Sequence, residues 1–236
     1  MFVLVYGVVA YLAFLASFAV GAAFVADVGP LRVDRDPPSA FVSGLAIDVG
    51  LLALFGVSHS IMARRPFKEA IVRVIPAAAE RSTYTLVASA TLALICWQWR
   101  ALPSAIWNIE ERSVGAVVWA VSGAGMLLAV YSTFLTDHFD LFGVRQVWLH
   151  ARGRPYAPVP FKERGLYRRT RHPMMLGMLV WFWSTPTMSV GHLVFAVGMS
   201  AYIFVGVALE ERDLARNLGD AYEQYRARVG RFIPRF

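Results

Sequence analysis

Apolar residues in this chain come in long blocks, and the polar ones gather between them. Residues 1–26, 82–99 and 113–136 carry no charged side chain, and 172–209 carry none apart from the titratable His172 and His192. Residues 40–63 form a further block, interrupted by Asp48 and His59. A helix needs about 20 apolar residues to cross a bilayer, so the blocks predict spanning helices at about 2–26, 40–62, 82–101 and 113–136. The stretch 173–209 is too long for one crossing and short for two. Pro186 restricts the residue before it and interrupts a helical ladder, so the turn is expected at Ser184-Thr185-Pro186-Thr187. The arms are then about 173–185 and 188–209, a tilted or re-entrant hairpin. The expectation is an all-α integral membrane protein with five to six transmembrane helices, forming one domain over 1–236. A cap at 137–172 and a tail at 210–236 lie outside the helices.

The first block lacks a basic n-region and is longer than a signal peptide's apolar core, which reads as a retained helix. Composition agrees with a membrane chain: 17% of residues are charged and 57% hydrophobic, against about 25% and just under half in soluble domains. The net charge of +7 would raise nucleic acid as a partner in a soluble protein. Here its distribution reports orientation instead. Of 23 Lys and Arg, five fall in 64–81, eight in 137–171 and six in 210–236, leaving two each in 27–39 and 100–112. By the positive-inside rule the three rich segments face the cytoplasm, as do both termini, in an inner membrane. Trp97, Trp99 and Trp107 flank the outer end of the third helix as an aromatic belt, and Gly123 and Gly125 read as helix packing. The lone Cys96 excludes an intramolecular disulfide. Five scattered histidines without H-E-x-x-H offer no zinc site.

Two polar clusters bracket the hairpin, and the return of the chain should bring them together. The first runs from Gly165 through Arg171-His172-Pro173 to Gly177; the second comprises Glu210-Glu211-Arg212, Tyr222, Tyr225 and Val229–Pro234. Pro173 suits a first helical turn, whose free N–H groups, with Arg171, favour an anion. Glu210 and Glu211 offer negative charge to a cation. A zwitterionic amino acid with a further positive centre suits both, and S-adenosylmethionine is such a molecule. Ordinary snorkelling of Arg, His and Glu at the ends of a span is the alternative.

The stretches G-L-Y-R-x-x-R-H-P-x-x-x-G and E-E-R-x-L-x-x-x-x-G-x-x-Y-x-x-Y resemble the membrane methyltransferases related to isoprenylcysteine carboxyl methyltransferase and phospholipid methyltransferase. The resemblance implies S-adenosylmethionine held by Tyr167, Arg171, His172, Pro173, Gly177, Glu210, Glu211, Tyr222 and Tyr225. Met175 stands where those relatives carry tyrosine. Ser58-His59-Ser60, Ala79–Tyr84, Trp97–Arg100 and Thr136–Gly143 resemble the methanethiol S-methyltransferase family, which implies a small thiol, methanethiol, converted to dimethyl sulfide. A prenylcysteine or phospholipid substrate is the alternative, and a non-catalytic transporter or assembly factor the reading of another class.

A thiol reacts as its thiolate, so a proton acceptor is sought. His138 and Asp140 are one candidate pair, with loop capping and ion pairing as the alternative. His59, near the cytoplasmic mouth, either lines the site or is structural. Asp48 shares its helix face, eleven residues away, and reads as a structural hydrogen bond.

Overall fold

The computed structural model describes residues 1–35 and 37–234, so Asp36 and the last two residues of the expected tail lie outside the description. Helices dominate. Their order is α1 (Phe2–Val25), α2 (Phe41–Met62), α3 (Arg65–Ile71), α4 (Glu80–Gln98), α5 (Arg112–Thr136), α6 (His138–Leu141), α7 (Val144–Ala151), α8 (Pro173–Trp183), α9 (Val190–Leu218) and α10 (Asp220–Arg228). Two short strands, β1 (Ala105–Asn108) and β2 (Thr187–Ser189), pair with each other.

Among the described residues, α1, α2, α5 and α9 are long and apolar enough to cross a membrane, which makes this a multi-pass membrane protein. The expected count of five to six adds α4 and α8. At 1.5 Å per residue, the eleven residues of α8 reach only about 16 Å. Helix α4 is long enough, but it opens on Glu80-Arg81 and carries five Ser or Thr residues.

The chain divides into two compact units. The first comprises residues 1–106, 137–159 and 189–195. Its centre is α1 against α4. The buried side of α1 is a row of small residues, Gly7, Ala10, Ser17 and Gly21, which permits close approach. The facing hydroxyls of α4 bond within their own helix: Thr85 to the Arg81 carbonyl at 3.0 Å and Ser89 to that of Thr85 at 2.8 Å. Helix α7, expected as part of a polar cap, packs against α1, because Val147 is apolar and completely buried. Arg35 donates to the carbonyls of Trp97 and Trp99, supplying cationic donors at the C-terminal end of α4. Asp48 is wholly buried and accepts from the Arg100 N–H at 2.8 Å, the structural role expected. Trp99 departs from the expected belt. It is completely buried, with Phe24 and Phe195 edge-on to its ring at 5.5 and 6.0 Å, whereas Trp97 is 62% exposed.

The second unit comprises residues 107–136, 160–188 and 196–236. Here α5 lies on α8. A Cβ on Gly177 would stand 2.6 Å from both the Ala129 nitrogen and the Gly125 oxygen, and one on Gly125 2.7 Å from the Trp181 nitrogen. No larger residue fits at either position without moving backbone. Gly123, by contrast, faces open space. The hairpin turn falls where Pro186 placed it, with α8 ending at Trp183. Helix α9 runs on to Leu218, beyond the expected end near residue 209. Charge marks where the medium changes and does not end a helical ladder. Gly219, with φ of 55°, ends it and lets α10 fold back, so that Tyr222, Tyr225 and Val229 pack on Leu214, Ala215 and Leu218.

Candidate functional site

In the second unit the two sequence clusters meet. The chain entering α8 runs beside the tail: Thr170 and Gly230 form a parallel bridge, the Arg171 N–H donates to the Gly230 carbonyl at 2.8 Å and the His172 N–H to that of Arg231 at 3.2 Å. The Thr170 hydroxyl also donates to the Arg231 carbonyl, at 2.9 Å.

Glu211 ties the side chains together. It is 4% exposed. Its Oε1 accepts from Arg171 through Nε at 2.9 Å and Nη2 at 2.8 Å, and lies 3.1 Å from His172 Nε2. Its Oε2 accepts from Arg231 through Nη2 at 2.6 Å and Nε at 3.1 Å. The remaining terminal nitrogen of Arg171 donates to the carbonyls of Arg226 and Val229. A buried carboxylate is tolerable only when paired and hydrogen-bonded in this way. Both oxygens of Glu211 are therefore committed inside the protein. Glu210 differs: its side chain is 52% exposed, with Oε2 3.8 Å from His172 Nδ1.

The other expected cofactor residues surround this knot or support it. Tyr225 is buried and donates to the Tyr167 carbonyl at 2.7 Å. Tyr222 is 1% exposed, and its hydroxyl has no hydrogen-bond partner among the described residues. Burial, then the Glu211 charge, pushes that phenol up to about 12. Burial, then the Glu210 charge, does the same for Tyr167. Both remain protonated at neutral pH. Pro173 is the first residue of α8, as expected, and needs no N–H there. Gly177 sits against α5, where its role is packing. A cleft of about 480 Å3 opens beside the knot, lined by Glu211, Arg212, Arg216, Arg226 and Arg231.

The expected catalytic residues lie in the first unit. His138 is 7% exposed, with Nε2 2.8 Å from the Tyr11 hydroxyl and the Phe139 and Phe142 rings against it. Burial lowers its pKa, with Asp137 opposing. The imidazole is thus neutral near pH 7 and able to take a proton. Asp140 Oδ1 accepts from Arg145 at 2.8 Å and Oδ2 from the Tyr156 hydroxyl at 3.3 Å, which is the ion-pairing alternative. Two residues apart on one helical turn, His138 and Asp140 do not face each other. His59 is held between the rings of Phe55, at 5.2 Å, and Tyr84, at 4.6 Å.

Sequence reading put Arg231 in the second cluster, within Val229–Pro234, but did not pair it with Glu211, and it missed Tyr11 altogether. Tyr11 sits in an unbroken apolar run, where the one signal is that a hydroxyl in such a run needs a partner.

The family described as NnrU protein matches residues 49–233. Methanethiol S-methyltransferase of Mycobacterium tuberculosis is 44% identical over 98% of this chain and 95% of its own length. Methanethiol S-methyltransferase 1 of Bradyrhizobium diazoefficiens is 44% identical over 97% of this chain and 81% of its own length. Nurim of Xenopus laevis is 27% identical over 90% of this chain and 83% of its own. No solved structure matches the chain.

Proposed function

The chain belongs to the NnrU protein family, and from its near full-length likeness to methanethiol S-methyltransferases we propose that it methylates methanethiol to dimethyl sulfide, with S-adenosylmethionine as donor. The observation that carries the reading is 44% identity over 98% of the chain.

The residues of the second unit fit the proposed donor. A buried phenol without a partner among the described residues, Tyr222, loses about 1–3 kcal/mol unless an acceptor is supplied, and a ligand carboxylate supplies one. The first-turn N–H groups of α8 favour the same anion. Glu210, half exposed beside His172, would face the ammonium or sulfonium charge. Glu211 would act indirectly, by holding Arg171, His172 and Arg231 in place. S-adenosylmethionine, when bound, supplies a methyl group on a positively charged sulfur. The chain's own tasks are to orient the two sulfur atoms, exclude water and let the thiol lose its proton. We assign the proton acceptor to His138, neutral and hydrogen-bonded to Tyr11, and give Asp140 and His59 supporting roles. We further place the protein in an inner membrane with both termini cytoplasmic, on the 19-to-4 split of basic residues, and count α4 and α8 among its membrane-embedded helices.

Purified protein supplied with S-adenosylmethionine and methanethiol should release dimethyl sulfide, read by headspace gas chromatography. Each atom of so small a thiol contributes at most about 1.5 kcal/mol, so affinity should be weak and selectivity steric. Faster methylation of a prenylcysteine or of phosphatidylethanolamine would overturn the substrate assignment.

A further inference from the structure

The first unit holds a second cavity, of about 400 Å3, whose lining includes Lys68, Glu80, Arg81, Gln146, Arg154 and Tyr156. Gln146 is nine-tenths buried. Its amide nitrogen donates to the Asp140 carbonyl at 3.1 Å, which fixes the amide's orientation, because a carbonyl cannot face the amide oxygen. That leaves Oε1 buried in the lining with no donor among the described residues. Buried acceptors in native proteins are nearly always satisfied, so this one points to a ligand donor.

The charges in the lining add a second requirement. Arg81 spends its Nε on the Leu141 carbonyl, at 2.8 Å, and lies over the Tyr84 ring. Among the described residues, none of Lys68, Arg81 and Arg154 has a carboxylate at ion-pair distance. Asp140 also lines the cavity, but Arg145 and Tyr156 take up its charge. What remains is three cations against Glu80, together with one buried acceptor.

We propose that this cavity binds a phosphate ester bearing a hydroxyl group. Lys68, Arg81 and Arg154 hold the phosphate, and Gln146 Oε1 accepts from the hydroxyl. Two sources share that chemistry: the phosphoglycerol headgroup of an anionic lipid, and a soluble glycerol phosphate. The cavity is large enough for such a headgroup. The residues that line it come from 68–81 and 140–156, outside the four long apolar helices, where a headgroup would lie.

The test uses the full chain. Calorimetry with sn-glycerol phosphate reads the soluble source. Native mass spectrometry from nanodiscs of phosphatidylglycerol against phosphatidylcholine reads the lipid source. Saturable one-to-one binding in either arm is expected, weakened at least tenfold by Arg154→Gln and by Gln146→Leu. Arg154 is exposed, so its variant folds even if the buried one does not. Arg216→Gln, in the other cleft, should bind as wild type. Absence of binding in both arms, or wild-type binding by Arg154→Gln, overturns the proposal. S-adenosylmethionine affinity should be unchanged in Arg154→Gln; its loss would assign this cavity to the methyl donor and reject the phosphate.

Discussion

Replacing Glu211 by Gln separates holding the site together from touching its ligand. The change keeps the shape and one acceptor oxygen but removes the charge that Arg171, His172 and Arg231 share. A hydrogen bond to a charged group is worth about 1.5–3 kcal/mol and a neutral one about 0.5–1.5, a difference of roughly 1 kcal/mol per bond. Arg171 and Glu211 side chains are 7% and 5% exposed, so their two bonds and that of His172 count in full, whereas Arg231, 48% exposed, adds little. The segment entering α8 therefore loses about 3 kcal/mol of its hold on α9, or about two decades in its opening equilibrium. Hydrogen exchange reads this directly, because the Arg171 and His172 amides are closed only by the Gly230 and Arg231 carbonyls. Both amides should exchange about 100-fold faster in Glu211→Gln. Glu210→Gln should leave them unchanged while weakening S-adenosylmethionine binding. Unaltered protection in Glu211→Gln would refute the knot, and with it the separation of roles between the two glutamates.

Gly177→Ala forces a Cβ to within 2.6 Å of α5 backbone and should cost about 1–3 kcal/mol or more, seen as a lowered melting midpoint in detergent. Tyr222→Phe removes a hydroxyl that has no partner among the described residues, so stability should hold or rise, while calorimetric affinity for S-adenosylmethionine falls by up to about tenfold. For His138, burial places the folded pKa below the ordinary 6.5, so the unfolded chain binds more protons in that window. Stability should then fall as pH drops from about 6.5 toward the lowered value and stay level above it, and His138→Gln should make this slope shallower in pH-dependent melting. A maleimide should label Ser104→Cys, at an exposed site, from outside intact spheroplasts, against a background kept low by the buried Cys96; labelling only after lysis would invert the topology.

The apolar blocks foretold the long helices within a few residues, apart from the C-terminal end of α9, because a bilayer imposes length and composition on whatever crosses it. They said less about α6 and α7. Both are short and mix polar with apolar residues, and only the fold shows that Val147 turns inward. The meeting of Arg171-His172 with Glu211 was legible, since a hairpin must return its ends to one side. The division of labour between Glu210 and Glu211 was not, because adjacent residues on a helix point about 100° apart and sequence does not say which way the helix is turned. Trp99 misled for a related reason: an aromatic at a span's end is as suited to a protein core as to a lipid interface.

The pairing of Thr170 with Gly230 also imposes an order in time. When Arg171 leaves the ribosome it has nothing to answer its charge. Glu211 follows 40 residues later, and the Arg231 carbonyl that receives the Thr170 hydroxyl comes 61 residues after that threonine. At about 5–20 residues per second, the segment waits roughly 3–12 seconds beside the inserting helices before its partner exists. A nascent chain stalled anywhere in that interval carries most of its membrane helices and no closed knot. Translational pausing before residue 231 would thus favour handing the unfinished protein to quality control, whereas uninterrupted synthesis lets the tail close over the segment that preceded it.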